Sequence, residues 1–309
     1  MPTLIADGAH IPSPVRDLEW VISSPLLLKQ TPRPNLFADP ETTEFIEKLR
    51  TNPAQLLDYL ANKETRALGV YFEHLILFWL SNLSSVSLVS SNLQVFQGTR
   101  TIGEIDVIFE HEKRIFHWEL AVKFYLNIGN GRQASHFVGP RLKDALDVKL
   151  TRIFDHQIPL IEVPETRELL AALNVKEVVS SAMMKGVLFQ PLPGPPTQIT
   201  SLPSEISNTC QSGSWVTLKN INRLASQGFS HFLILSKAQW FTSFYYSDEV
   251  VSGDVAALEK QAAELLKSGN TPIMVCLFRS SDSGIFKSNT RLFITPDDWP
   301  ALAGKSYNC

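Results

Sequence analysis

The stretch TIGEIDVIFEHEKRIFHWELAVKFYL, from Thr101 to Leu126, places charged side chains in two segments that are otherwise built for burial. Residues 103–111 alternate between two faces, and residues 114–126 repeat this period of two after a short turn at Glu112–Lys113. Such alternation is typical of β-strands, because successive side chains point to opposite faces of a sheet. The stretch therefore predicts two adjacent, paired strands.

The two faces of the second predicted strand differ in polarity. The apolar face is lined by Phe116, Trp118, Leu120, Val122 and Phe124. The opposite face is lined by Ile115, His117, Glu119, Ala121 and Lys123. Because charges inside a packed sheet cost free energy unless something pairs with them, the second face requires a partner or a function.

The first predicted strand adds acidic groups to this face. Asp106 and Glu104 share one face of their strand, as Glu119 and Lys123 share one face of the next. Carboxylate oxygens are ligands of hard divalent cations, and Mg²⁺ uses one or two of them together with water and substrate phosphate. A lysine beside the metal can stabilise negative charge on a phosphate or orient the attacking water. The pattern predicts a site for Mg²⁺ or Mn²⁺.

The composition predicts a globular protein with a hydrophobic core. Of 309 residues, 44% are hydrophobic and 19% are charged, and the formal net charge is -3. This net charge gives no sign of nucleic-acid binding, although a local basic patch is sufficient for it. The three cysteines fit neither a disulfide framework nor a zinc site, which predicts a cytoplasmic location. They are Cys210, Cys276 and Cys309.

No segment is typical of a membrane protein or a secreted one. The N-terminal residues have no basic start followed by an apolar run, so we expect no signal peptide. The longest apolar stretch, ALGVYFEHLILFWL at residues 67–80, contains Glu73 and His74 and is too short to span a bilayer. We therefore expect no membrane partner.

Periodicity outside the quoted stretch predicts the remaining elements. Helices are expected near residues 17–23, 40–60, 66–80, 141–156, 165–173 and 255–268. Strands are expected at residues 87–97, 184–192, 231–236 and 272–278, with a linker at 191–198 and a closing strand and turn at 291–300. The order of helix, three strands, helix and strand predicts a central mixed sheet covered by helices.

This order and the polar strand face resemble the PD-(D/E)XK nuclease superfamily. Its site comprises an acidic residue that ends one strand and a (D/E)-x-K tripeptide on the next. Here GEID supplies Asp106 and ELAVK supplies Lys123, while Glu73 matches a glutamate that the superfamily often adds from its first core helix. The resemblance implies that Asp106, Glu119 and Glu73 bind metal, and that Lys123 positions water or stabilises the transition state.

One position departs from the superfamily motif. The residue two before Lys123 is Ala121, and the nearest acid on that face is Glu119. Because a strand repeats every two residues, Glu119 keeps its face but is displaced by about 6.6–7 Å along the strand. The departure leaves two hypotheses open, an active metal site and a site that has lost catalysis.

Two segments also resemble one bacterial family, domain of unknown function 1853. They are HWELAVKFYL at residues 117–126 and GPRLKDALDVKLTRIFDHQ at residues 139–157. This resemblance implies a fold and a superfamily, and it implies no particular substrate.

Several residues keep more than one interpretation. Glu119 and Lys123 could form a structural ion pair, and His117 is expected to be a hydrogen-bonded structural residue rather than a base. Residues 123–152 hold six basic and two acidic side chains, which suits a phosphate backbone or a solvated helix face equally. Six aromatic residues could stack on bases, although core packing or a partner interface is preferred: Trp215, Trp240, Phe241, Phe244, Tyr245 and Tyr246.

The predicted organisation has three parts. An N-terminal arm with helices occupies residues 1–65, a restriction-endonuclease-like α/β core residues 66–190, and a C-terminal α/β extension residues 191–309. The predicted function is Mg²⁺-dependent hydrolysis of phosphodiester bonds in nucleic acid, with DNA favoured over RNA. The alternative is a catalytically inactive nuclease fold that serves as a nucleic-acid-binding or assembly module.

Overall fold

The computed structural model describes most of the chain, namely residues 10–29, 34–192, 202–269, 271–287 and 290–307. It contains a large mixed β-sheet flanked by helices, which confirms the predicted α/β class. Parts of the predicted N-terminal arm, most of the predicted linker and Cys309 lie outside the described residues. No helix in the described ranges combines the length and the apolar character needed to cross a bilayer.

Contacts divide the chain into two compact units, each made of two segments. The first unit comprises Met1–Val122 and Lys149–Lys185, and the second comprises Lys123–Val148 and Gly186–Cys309. Each unit therefore receives residues from both halves of the chain. The linear boundaries at residues 65 and 190 remain a prediction.

Four helices precede the sheet in the first unit: α1 (Ser13–Ser23), α2 (Pro40–Thr51), α3 (Ala54–Ala61) and α4 (Leu68–Ser81). The helical pattern of residues 40–60 forms two helices because Pro53 interrupts it and disfavours a helical conformation at Asn52. The side chain of Asp39 caps α2 by accepting a hydrogen bond from the Glu41 N–H at 2.8 Å. As predicted from its composition, α4 is largely buried.

Three long strands form a meander, β1 (Val86–Gln97), β2 (Arg100–His111) and β3 (Arg114–Asn127), and only the last five residues of β3 belong to the second unit. Both pairings are antiparallel, and Val107 faces Trp118 across the second one. Two-residue β4 (Phe137–Val138) pairs with the end of β3. The predicted strands 87–97, 103–111 and 114–126 are confirmed.

Helical segments follow the meander and lead to β5 (Val179–Pro191). They are α5 (Leu146–Arg152), a π-helix (Ile153–Gln157), a 3-10 helix (Pro159–Glu162) and α6 (Pro164–Ala172). The helix begins later than the predicted residue 141 because Leu142 adopts a left-handed conformation with φ of 57°. The predicted order of helix, three strands, helix and strand is confirmed, and β5 lies beside β3 in the sheet.

Both faces of β3 in the first unit are buried. On one face Trp118 stacks with Phe37 at a ring distance of 5.8 Å and meets Phe109 edge-on at 4.8 Å. On the other face, Ile115 packs against a buried cluster that includes Ile108, Leu160, Ile161 and Leu170. Burial on both faces explains why nine of the fourteen residues of β3 are apolar.

A buried lysine attaches the N-terminal segment to β5. Lys185 is only 1% exposed, and its ammonium donates to the carbonyl oxygens of Ile22, at 3.2 Å, and Ser24. The same ammonium lies 4.6 Å from the centre of the Phe37 ring. The carbonyl dipoles and the ring offset the cost of burying this charge.

The second unit adds seven strands and two helices. Its part of the sheet continues from β5 in the order β6 (Gln211–Thr217), β12 (Arg291–Thr295), β10 (Ile273–Phe278), β7 (His231–Leu235) and β9 (Val251–Ser252). A separate two-stranded sheet is formed by β8 (Phe244–Tyr246) and β11 (Ile285–Lys287). The helices are α7 (Val255–Gly269) and α8 (Trp299–Tyr307). The turn predicted at residues 296–300 is instead partly the start of α8, since Trp299 opens a helix there.

The six aromatic residues singled out in the C-terminal part are all buried. Trp240 packs edge-on against Phe293 at 5.4 Å, and Tyr245 packs against Phe278 at 5.8 Å. Their burial favours core packing, which was one of the two preferred interpretations.

Gly186 should not tolerate any side chain. It lies on β5 with φ of 151°, and an added Cβ would overlap the backbone carbonyl oxygen of Lys123. Because two backbones would have to separate, Gly186→Ala should destabilise the protein by several kcal/mol or prevent folding. Urea-induced unfolding would measure this. The matched change Gly69→Ala on α4, where no atom lies within 4 Å of the added Cβ, should be neutral or stabilise by up to about 1 kcal/mol.

Glu41 should make stability depend on acid pH. Its carboxylate accepts hydrogen bonds from the backbone N–H groups of Ser84 and Ser85, which lowers its pKa to about 2. Since the folded-state pKa lies below the unfolded one, this stabilisation is present above about pH 4.5 and is lost as the pH falls toward about 2. Glu41→Gln should cost less than about 1 kcal/mol at neutral pH because the site is well solvated. In urea titrations this deficit should shrink at about pH 3, and a constant deficit would contradict the assignment.

Candidate functional site

A cavity of about 380 Å³ lies in the first unit, where polar groups from several elements meet. The helix α4 supplies Glu73, β2 supplies Glu104 and Asp106, and β3 supplies Glu119. The helical segments after β3 supply the other polar residues, which are Lys149, Arg152, His156 and Gln157. The structure thus brings together the three carboxylates predicted to bind metal.

The pairing of β2 with β3 determines how Asp106 and Glu119 approach each other. The ladder between them ends at Val107 and Trp118, and the next residues along the two strands are Asp106 and Glu119, whose carboxyl groups interact. The backbone N–H of Leu120 donates to Oδ2 of Asp106 at 2.7 Å. This hydrogen bond fixes the direction of the Asp106 carboxylate beside that of Glu119.

Glu119 is buried without the hydrogen bonds that a buried carboxylate normally receives. It is 1% exposed, and neither carboxylate oxygen has a hydrogen-bond donor among the described residues. The ammonium of Lys149 lies 3.6 Å from Oε1, which is an ion-pair distance but too long for a hydrogen bond. Burial, with repulsion from Asp106, raises the pKa of Glu119 to about 8. Such a group in a cavity is typical of a functional site.

The neighbouring carboxyl groups are perturbed in the same direction. Burial raises the pKa of Asp106, although the Leu120 hydrogen bond and Lys149 oppose the shift. Burial also raises the pKa of Glu73 to about 7, and repulsion from Asp106 and Glu104 adds to it. Each shift means that the ionised carboxylates repel one another in a poorly solvated place. A bound cation would relieve this repulsion.

The arrangement fits a divalent metal with few protein ligands. Within the described ranges, no group of three or more His, Cys, Asp or Glu side chains is placed closely enough to hold a metal ion. Mg²⁺ commonly takes one or two protein carboxylates and completes its shell with water and phosphate. Asp106 and Glu119 meet that requirement, while Glu73 lines the same cavity.

Lys123, the fourth predicted site residue, does not line this cavity. Its ammonium forms an ion pair with Asp144 in the second unit, and Oδ2 of Asp144 also accepts a hydrogen bond from the Tyr125 hydroxyl at 3.0 Å. Glu119 and Lys123 thus have different ion-pair partners, Lys149 and Asp144. The catalytic role of Lys123 remains a prediction.

His117 has a structural environment, as expected. It is fully buried, its Nδ1 lies 3.2 Å from the hydroxyl of Ser180, and burial lowers its pKa to about 4. A histidine that stays neutral and shielded from solvent supports the sheet rather than transferring protons at neutral pH.

The comparison with known families agrees with one of the sequence-based resemblances. The family model of a domain of unknown function, DUF1853, matches residues 16–295. The chain belongs to this family. The matched region includes every residue that lines the cavity. No curated protein and no solved structure is significantly similar to the chain.

Sequence reasoning missed how this DUF1853 protein places a cation in the cavity. Lys149 reaches Glu119 from α5, and Oε1 of Gln157 accepts a hydrogen bond from the same ammonium at 2.9 Å. Gln157 lies in the π-helix. The backbone hydrogen bond that defines this π-helix runs from the N–H of Ile158 to the carbonyl oxygen of Ile153, at 2.8 Å. The only available signal was the excess of basic residues in positions 123–152, which does not specify a partner.

Glu119→Gln should raise the thermal stability of the metal-free protein. The amide has nearly the same shape and carries no charge, so the cost of burying a carboxylate without donors disappears. We expect a gain of about 1 kcal/mol, which corresponds to a melting temperature about 2–4 °C higher. The control Glu110→Gln changes an exposed acid on β2 and should have almost no effect. A lower melting temperature for Glu119→Gln would show that the pair with Lys149 stabilises the fold.

Proposed function

We propose that the cavity is the active site of a Mg²⁺- or Mn²⁺-dependent phosphodiesterase that hydrolyses nucleic acid, with DNA favoured over RNA. The observation that carries this proposal is the convergence of Glu73, Asp106 and Glu119 in one cavity with Lys149 beside them. The order of helix, three strands, helix and strand supports a restriction-endonuclease-like core of the PD-(D/E)XK type.

In this proposal Asp106 and Glu119 hold the metal. Asp106 keeps one oxygen on the Leu120 N–H and directs the other away from it, while both oxygens of Glu119 have no donor among the described residues. Glu73 contributes from α4, directly or through water. When bound, the metal polarises a phosphoryl oxygen and lowers the pKa of a water molecule.

Lys149 is the best-placed cation for the phosphate. Its side chain is 11% exposed, and Gln157 and Glu119 hold its ammonium at the cavity. A fixed ammonium can stabilise negative charge that develops on a phosphate during hydrolysis. Arg152 and His156 are exposed at the same cavity and can contact neighbouring phosphates. We therefore assign to Lys149 the role that the superfamily motif gives to its lysine.

Cleavage of labelled DNA and RNA in the presence of Mg²⁺ or Mn²⁺ tests the proposed activity. Asp106→Asn should reduce the rate at least about 10²-fold, because it removes a metal-binding charge with little change in shape. The exposed acid Glu110 on the same strand provides the matched control, and Glu110→Gln should cleave as the wild type does. Cleavage that survives EDTA or Asp106→Asn unchanged would rule the proposal out.

A comparison of two lysine variants identifies the catalytic cation. Lys149→Ala should reduce cleavage about 10²-fold or more, since it removes the ammonium at the cavity. Lys123→Ala should have a smaller effect, because that ammonium is paired with Asp144. The reverse order of effects would favour the role that the sequence motif predicts for Lys123.

The alternative is a nuclease fold that binds nucleic acid without cleaving it. The observation that favours it is the lack, in the described ranges, of three ligand side chains placed closely enough for a metal. Calorimetric titration with Mn²⁺ separates the two functions. Stoichiometric binding that Glu119→Gln abolishes supports the enzyme, whereas DNA binding with no measurable affinity for Mn²⁺ supports the alternative.

A further inference from the structure

A second and larger cavity of about 1140 Å³ lies in the first unit, at the turn between β2 and β3. Its buried residues are apolar: Ile161 from the 3-10 helix, Leu170 from α6 and Val175 from the segment after α6, with half-buried Ile115 beside them. Its exposed charged residues are four bases and two acids: Lys113, Arg114, Arg167, Lys176, Glu162 and Glu177. We call this cavity the basic groove.

The basic groove and the candidate active site lie on the same face of β3. Ile115 lines the groove and Glu119 lines the active-site cavity, four residues further along the strand. At 3.2–3.4 Å per residue this spacing is about 13 Å. The two cavities also share the 3-10 helix, in which Leu160 lines one and Ile161 lines the other. The two cavities are therefore neighbours on the first unit.

The lysines are the cations of the groove that are available to a ligand. The guanidinium of Arg167 is held by Glu162, whose carbonyl oxygen accepts from Nε at 3.1 Å and whose carboxylate pairs with Nη2. The guanidinium of Arg114, another lining residue, lies over the Phe116 ring at 5.4 Å. Lys113 and Lys176 are exposed, and a flexible ammonium suits a phosphate as a point charge.

The lining of the groove indicates which part of a nucleic acid it contacts. No aromatic side chain lines it within the described residues, so it offers no stacking surface for bases. Lysines above an apolar floor suit the phosphate backbone, which is recognised without regard to sequence.

We infer that the basic groove binds the phosphate backbone of the nucleic-acid substrate within a few nucleotides of the phosphate in the candidate active site. This inference rests on the proposed function for the nature of the ligand. It adds a binding site that sets how the substrate lies on the protein, with Lys113 and Lys176 as its phosphate contacts.

The test measures binding of the full chain to a labelled DNA duplex in EDTA, so that cleavage plays no part. Lys113→Ala/Lys176→Ala should lower the affinity at least about tenfold, and should reduce the slope of log K against log salt by about 0.9 for each lysine between about 50 and about 200 mM salt. The matched control is Lys260→Ala/Lys267→Ala, which removes two exposed lysines from α7 and should leave both quantities unchanged. Circular dichroism should show that both variants are folded.

An unchanged affinity and slope in the groove variant would overturn the inference, as would an equal loss in the α7 variant or no binding of duplex by the wild type. A similar loss of affinity for polyglutamate would also overturn it, because the groove would then be an acidic-peptide site. Groove-dependent binding without cleavage in Mg²⁺ would leave the inference standing and remove the proposed activity. Cleavage in Mg²⁺ together with unchanged binding by the groove variant would support the proposed activity and overturn the inference about the groove.

Discussion

The carboxylate of Glu119 is the constraint on which the site depends. A strand buried on both faces should carry apolar residues, yet β3 holds an acid that is 1% exposed and has no hydrogen-bond donor among the described residues. Asp106 faces it from the neighbouring strand, and the two groups repel each other when ionised. The ammonium of Lys149, which donates a hydrogen bond to Gln157, lies 3.6 Å from Oε1 of Glu119 and offsets its charge only in part. With the pKa of Glu119 raised to about 8, the core of the first unit encloses two carboxyl groups that are costly to ionise together at neutral pH, a cost that an apolar pair would avoid.

The strands of the site could be predicted because the alternating pattern that indicates a strand lies within a few consecutive residues. Alternation in β2 and β3 specifies which residues share a face, and the short turn between them brings Asp106 close to Glu119. The helices α4 and α6 were predictable for the same reason, since apolar spacing reports which side of a helix is buried. Assignment to the DUF1853 family confirmed the corresponding resemblance.

The remaining features depend on contacts between distant residues. Lys149 enters the cavity from α5, and no spacing rule relates position 149 to position 119. The strand β6 lacks a continuous apolar run in its Ser-Gly-Ser segment and was missed. The two units each combine separate segments, and a division of that kind follows from packing rather than from chain order. Lys123 shows the same limit of sequence-based prediction. Its place in the motif could be identified from the sequence, but its ion-pair partner, Asp144, could not.

The π-helix at Ile153–Gln157 links the shape of the cavity to the length of the chain. A π-turn contains about one residue more than an α-turn, so removing one residue from it would restore an ordinary helix. The flanking segments would keep their directions, because the extra residue is accommodated within the turn itself. The loss would fall on the turn that carries His156 and Gln157, while β2 and β3 stayed intact. Among related chains, the count of residues in this turn would therefore separate those that keep the polar wall from those that have lost it.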